Sequence, residues 1–346
     1  MNVVRERVSE GRPRIGMPRA LMFYRYYPFL KALLEGFGCE VVASPPTNLR
    51  IMGMGTDLCV DDVCVAVKAL FGHVRYLEGK VDYMLIPRLV SVEKKEYDTF
   101  TCPKLIAAPD MVRFSFPQLP PPLEFVVDVS KVPWWWGCLR LGRRLGVPLR
   151  GIARAYAAAT REQRRFEALQ REGLLPADAL KRMENGNGLP SPGYASADRD
   201  VTVAVVGHPY LLGDSLVNKR LIHWLDSSGA RVLASTMLSP RELEVEARKL
   251  PDLSWSYEWE LLAASSHFLE KEGVDGLIYL TSFGCGPDSL VTEMVRREVP
   301  NPHKRAIMDL VLDEHSAESG VRTRAEAFVD LLRHRKTARP PGVLTR

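Results

Sequence analysis

One feature limits the fold of this chain more than any other: short apolar strands alternate with helices, and the series runs twice. In the first run, RIGMPRA (14–20) reads as a buried strand and FYRYYPFLKALLEGFG (23–38) as a helix that ends on Gly38. CEVVASP (39–45) is a strand, DVCVAVKALFGHVRYLE (62–78) a strongly apolar helix, VDYMLIPRLV (81–90) a strand and LEFVVDV (123–129) a fourth. The second run has strands at 201–209, 230–236, 274–282 and 305–312, with helices at 215–229, 259–273 and 323–335. Such alternation predicts parallel sheets with helices on both faces, an α/β fold.

The two runs look like copies. LLEGFGCEVVAS (33–44) can be laid on WLDSSGARVLAS (224–235), which puts Gly38 on Gly229, Ser44 on Ser235 and Pro18 on Pro209, each 191 residues apart. Asp82 and Asp275 follow at a spacing of 193. The expectation is two duplicated, doubly wound parallel-sheet domains, 13–130 and 200–336, facing a cleft. An Arg-rich helical region, 131–185, joins them. Its stretch 137–173 reads either as solvated linker helices or as a docking surface for an acidic partner or a nucleotide-like phosphate. NGNGLPSPGYASADRD (185–200) reads as a turn-rich linker, and the PPTN, FSFPQLPPP and KVPWWWG segments as loops.

Composition narrows the class. The 346 residues are 46% hydrophobic and 26% charged, which excludes disorder over most of the length. No apolar run approaches the ~20 residues that span a bilayer, and MNVVRERVSEGR lacks the apolar core of a signal peptide. A soluble cytoplasmic protein is the expectation, with no membrane partner. A net charge of +5 is too weak to argue for nucleic acid. Six cysteines are too few for a disulfide scaffold. No Walker A sequence is present, and GMGTD and GNG are not dinucleotide fingerprints.

Three cysteines share a context. Cys64 follows Asp61 and Asp62 at a helix start, Cys102 precedes Pro103, and Cys285 stands just after a strand and just before a helix whose expected first position is Pro287. Proline favours the first helical position, so all three sulfurs are expected at helix N-termini, where backbone N–H groups stabilise thiolate. Cys285 also follows the carboxyl end of a central strand, the edge where open α/β sheets bind ligands. Three thiolates there can hold three irons of a 4Fe–4S cluster, leaving the fourth open. Three buried structural cysteines fit the same spacing, because no C-x-x-C pair is present. Cys39 reads as a core residue, while Cys59 and Cys138 stay open. Lys68, one turn after Cys64, either offsets cluster charge or is solvated, and His73 and His208 read as satisfied core or loop residues. Asp313, Glu314 and His315, near Glu318, offer a proton donor or acceptor at another strand end, or simply a polar loop.

Six long segments carry a resemblance: 14–48, 61–97, 102–112, VAVVGHPYLL, IYLTSFGCGPDSLV and LDEHSAESGVRTRAEAFVDLL. Over most of 13–125 and 201–335 the sequence resembles the acyl-CoA dehydratase activase-related, or CoA protein activase, family. That family is related to the iron–sulfur subunits of 2-hydroxyacyl-CoA dehydratases and to double-cubane cluster proteins. The resemblance implies paired α/β domains around an iron–sulfur cluster, 4Fe–4S or, with more thiolates, an 8Fe–9S double cubane. It implies Cys64 from VDDVC, Cys102 from CPK and Cys285 from SFGCGPDS as ligands. It also implies a separate ATP-dependent activase that supplies low-potential electrons, a second cluster-bearing subunit or homodimer, and an acyl-CoA or other small substrate. The alternatives are a non-catalytic assembly or regulatory subunit, and a two-lobed small-molecule binding protein with structural cysteines.

Overall fold

A computed structural model describes residues 11–95, 97–119, 122–186, 192–196, 198–299 and 305–338. Most of the N-terminal segment read for a leader, and residues 187–191 and 197 of the turn-rich linker, therefore lie outside the described residues.

The first half contains strands β1 (Arg14–Met17), β2 (Glu40–Ala43), β3 (Tyr83–Ser91) and β4 (Leu123–Asp128), with helices α1 (Phe23–Gly36), α2 (Leu49–Thr56), α3 (Val65–Leu77) and α4 (Pro103–Ser115). Helices α5 (Trp135–Arg144), α6 (Leu149–Arg171) and α7 (Pro176–Asn185) follow. The second half contains β5 (Val201–Val206), β6 (Ala230–Ala234), β7 (Gly276–Ser282) and β8 (Ala306–Leu312). Its helices are α8 (Pro209–Gly213), α9 (Leu221–Ser227), α10 (Pro240–Ala247), α11 (Ser256–Glu270), α12 (Gly286–Arg297) and α13 (Glu318–Thr337).

Both sheets are wholly parallel and have the same order, β2-β1-β3-β4 and β6-β5-β7-β8. This doubly wound order reverses direction between β1 and β3, and again between β5 and β7, which opens a crevice at the carboxyl ends of those strands. The expected duplication shows in the hydrogen bonds. Arg14 N–H donates to Asp82 Oδ2 at 2.7 Å and Thr202 N–H donates to Asp275 Oδ2 at 2.7 Å. In return Asp82 N–H reaches Arg14 O and Asp275 N–H reaches Thr202 O, both at 2.9 Å. Gly38 (φ +83°) and Gly229 (φ +81°) end the preceding helices in the left-handed conformation that only glycine adopts freely. The register differs from the sequence alignment in one place. β2 and β6 keep the spacing of 191, but pairing sets β1 and β5 188 residues apart, so Pro18 is not the counterpart of Pro209.

Three local expectations change. The helix read over 215–229 begins only at Leu221, because Asp214 Oδ1 accepts from the N–H groups of Leu216 and Val217 and holds a turn. Lys219 and Arg220 then take φ near +55° before the helix starts. KVPWWWG is not all loop, since Trp135 opens α5. Helix α6 is not a solvated linker: Ile152, Ala155, Ala159 and Phe166 join one apolar cluster with Leu33 and Leu34, and Gln163 Nε2 donates to Arg25 O at 2.9 Å. No helix among the described residues is long and apolar enough to cross a membrane.

Candidate metal centre at the facing sheet edges

Each of the three expected thiols stands at the N-cap of a helix: Cys64 of α3, Cys102 of α4 and Cys285 of α12. An N-cap has extended backbone, so the first unpaired N–H groups of the helix surround its side chain. All three line one cavity of about 220 Å³. Two of these helices come from the first half and one from the second. The β7–α12 turn joins them: Val65 N–H donates to Ser282 Oγ at 3.2 Å, and Lys104 Nζ donates to Gly284 O at 2.9 Å. Gly284 is required there twice over. Its φ is +73°, and a Cβ would lie 2.7 Å from Asp62 O.

Burial dominates the acidity of Cys102 and Cys285. It pushes Cys285 up to about 11 and Cys102 upward from the usual thiol range. A metal ion takes thiolate, so its binding there releases those protons.

His208, the N-cap of α8, also faces the cavity. It is buried and stacks on Tyr210 with ring centroids 5.0 Å apart. Its Nε2 lies 3.1 Å from Asp288 Oδ1, and Asp288 Oδ2 accepts from Thr281 Oγ1 at 3.0 Å. Burial works against charge on His208, but the Asp288 carboxylate outweighs it and holds the imidazole well above its ordinary range. Burial likewise opposes charge on Asp288, and His208 brings it below the usual carboxylate range. Glu258, with Oε1 3.9 Å from His208 Nε2, is raised chiefly by burial. Ligand atoms of His208, Cys285 and Asp288 all lie within 4.8 Å of one another, a second donor set able to hold a metal ion. The two sets overlap at Cys285. Nothing in the sequence pairs His208 with Asp288 across 80 residues. The one local signal was GHP, a proline following a histidine as it follows Cys102.

The acid/base trio at the end of β8 is not brought to the thiols. Asp313 accepts from Ser316 Oγ at 2.7 Å, His315 is 81% exposed, and neither they nor Glu314 line the cavity. The reason is topological: β8 is the edge strand, so the loop after it lies beside the crevice. Lys68 is neither solvated nor on the cavity; it is 2% exposed, pairs with Glu314 and donates to Asp61 O at 2.9 Å. Cys59 is half-buried near that pair and is raised to about 11 by burial. Burial also raises Cys39 to about 11 and Cys138 to about 12, both away from the cavity. His73 is buried against Thr47, with Nε2 3.0 Å from its hydroxyl, and burial lowers it to about 3.

One wall of the cavity is strained. Leu21 holds φ +50°, a conformation that costs an L-residue about 1–2 kcal/mol.

Residues 14–238 match the family described as the CoA enzyme activase uncharacterised domain. The chain belongs to this family. The matched part of the activase-family chain carries Cys64, Cys102 and His208, whereas Cys285, Asp288 and Glu258 lie beyond it. A search among curated proteins gives no match.

Proposed function

We propose that this protein works in the acyl-CoA dehydratase activation system as an iron–sulfur protein, with one 4Fe–4S cluster on Cys64, Cys102 and Cys285. The observation that carries this reading is the meeting of three N-cap thiols on one cavity at the crevice of the second sheet. The donors fit the group: soft thiolates favour iron–sulfur clusters, and helix N-termini offset the charge of an anionic one. Three thiols suit a single cubane rather than an 8Fe–9S double cubane, because Cys59 and Cys138 are not on the cavity. When bound, the cluster supplies one-electron reduction at low potential. The chain's own residues hold it, shield it from water and set its surroundings through the buried His208–Asp288 pair. In this reading a separate ATP-dependent activase supplies the electrons, and a dehydratase or related enzyme is the further partner.

The test is metal and sulfide analysis of protein purified without oxygen. About four iron and four sulfide per chain are expected. Cys64→Ala, Cys102→Ala and Cys285→Ala should each lose them, while Cys39→Ala keeps them. Iron-free protein after anaerobic reconstitution overturns the proposal. So does about one zinc per chain that depends on His208, Cys285 and Asp288 alone.

A further inference from the structure

The carboxyl end of β5 borders two cavities that share no lining residue. The thiols line one. The other, of about 180 Å³, is bordered by Gly207 after β5 and by Ser235 and Thr236 after β6. Gln163, Glu167, Gln170 and Arg171 fall on one face of α6 and all line it. Helices α10 and α11 bring Leu243, Glu244, Trp259 and Glu260 to the opposite wall. Several polar groups around this space are not used within the chain. Gln170 is 7% exposed, and its side-chain amide has no hydrogen-bond partner among the described residues. Gln163 Nε2 donates to Arg25 O at 2.9 Å and to Glu167 Oε1 at 3.0 Å, which fixes the orientation of that amide. Its buried Oε1 is left without a donor, and the buried Thr236 hydroxyl is also unpartnered. Buried polar groups are costly when unpaired, so such a concentration calls for an explanation.

The charge balance selects the ligand. Arg25 and Glu260 cancel, with guanidinium nitrogens 2.5 and 2.6 Å from the two carboxylate oxygens. Glu93 is tied to Lys95 at 3.3 Å. Glu167 and Glu244 remain, against Arg171 alone. A metal ion does not fit, because among the described residues three donors converge only at His208, Cys285 and Asp288. We propose that this cavity binds a short aliphatic amine as its ammonium ion. Glu167, Glu244 and the Gln170 carbonyl accept its N–H groups, and its carbons lie against Leu243, Trp259 and Leu261. At the ~30 Å³ that a water occupies, the cavity has room for about six non-hydrogen atoms, the size of the four-carbon diamine putrescine. The same carboxylates repel phosphate-bearing molecules. The proposal does not depend on the cluster reading.

The test is calorimetric titration of the full chain with putrescine, butanediol and succinate, which share a four-carbon skeleton and differ in charge. Putrescine should saturate one site per chain, butanediol should bind at least about ten-fold more weakly, and succinate should not bind. Glu167→Gln and Glu244→Gln should each weaken putrescine about ten-fold, and the double variant should lose the preference over butanediol. Glu244 is exposed, so its variant keeps the test open even if Glu167→Gln disturbs the fold through Gln163. Cys285→Ala should bind putrescine as the parent does, which separates this site from the cluster. Putrescine that does not saturate, butanediol bound as tightly, or a double variant with the parent's affinity overturns the proposal.

Discussion

The two halves share a frame and differ at the crevice. In both, an aspartate before the third strand of its sheet exchanges two hydrogen bonds with the start of the first strand, and a left-handed glycine ends the intervening helix. At the crevice the first half is apolar and closed by Leu21, while the second presents His208, Asp288 and Cys285. The pairing differs too: β1 meets β3 over two residue pairs, whereas β5 meets β7 over four. Backbone groups at strand starts must be bonded whatever the protein does, so that end of each copy stays fixed. Nothing in folding dictates the side chains at the carboxyl end, and there the copies have specialised. The halves then cooperate, with α3 and α4 of one bringing thiols to the crevice of the other.

The largest stability effect is expected where the halves lock together. Lys68 is 2% exposed, so Glu314→Ala leaves a buried ammonium without its anion and should cost about 3–5 kcal/mol in urea unfolding. Replacing both, as Lys68→Met with Glu314→Leu, should recover most of it. If the single variant cost no more than removal of the exposed Lys31–Glu35 pair, worth under about 0.5 kcal/mol, the lock would not exist.

Smaller losses test the shared frame. Asp82→Ala should cost about 1 kcal/mol and Asp275→Ala about 2 kcal/mol, since Asp275 also pairs with Lys336 at 2.8 Å. Gly38→Ala and Gly229→Ala should each cost about 1 kcal/mol. A Cβ on Gly229 lies 3.0 Å from the Arg333 guanidinium, which Asp200 and Ser228 O hold, whereas Gly38 has open space, so Gly229→Ala should cost slightly more than Gly38→Ala. Equal values would mean that Arg333 gives way without cost.

The sequence carried the periodic parts of this molecule. Apolar strands and Gly38 and Gly229 announce themselves locally, and so do Cys102 and Cys285, with proline in the first turn of the helix each one caps. What stayed hidden depends on distance along the chain. The His208–Asp288 and Lys68–Glu314 pairs join residues 80 and 246 positions apart, and no spacing rule links them. The break before α9 was hidden for another reason: Asp214 bonds the backbone locally and outcompetes a segment whose pattern alone favours helix. The edge position of β8, which keeps Asp313 and His315 from the thiols, is a property of strand order rather than of any residue.

The smallest effect is a slope rather than a step. Glu93, after β3, faces Lys95, Glu260 and Arg25, and burial raises its carboxyl to about 7 from an ordinary 4.5. The folded chain therefore binds this proton more tightly than the unfolded chain does. Its stabilising contribution is complete below about 4.5 and is lost as pH rises through about 7. Asp288, a buried acid of the second half, is shifted the other way by His208 and adds nothing to that slope, whereas Glu258, raised by burial, adds to it. Unfolding free energy measured from pH 5 to 8 should fall with pH in the parent protein and fall less in Glu93→Gln. An identical slope in the two proteins would place the pH dependence elsewhere and leave Glu93 ionised on both sides of the transition.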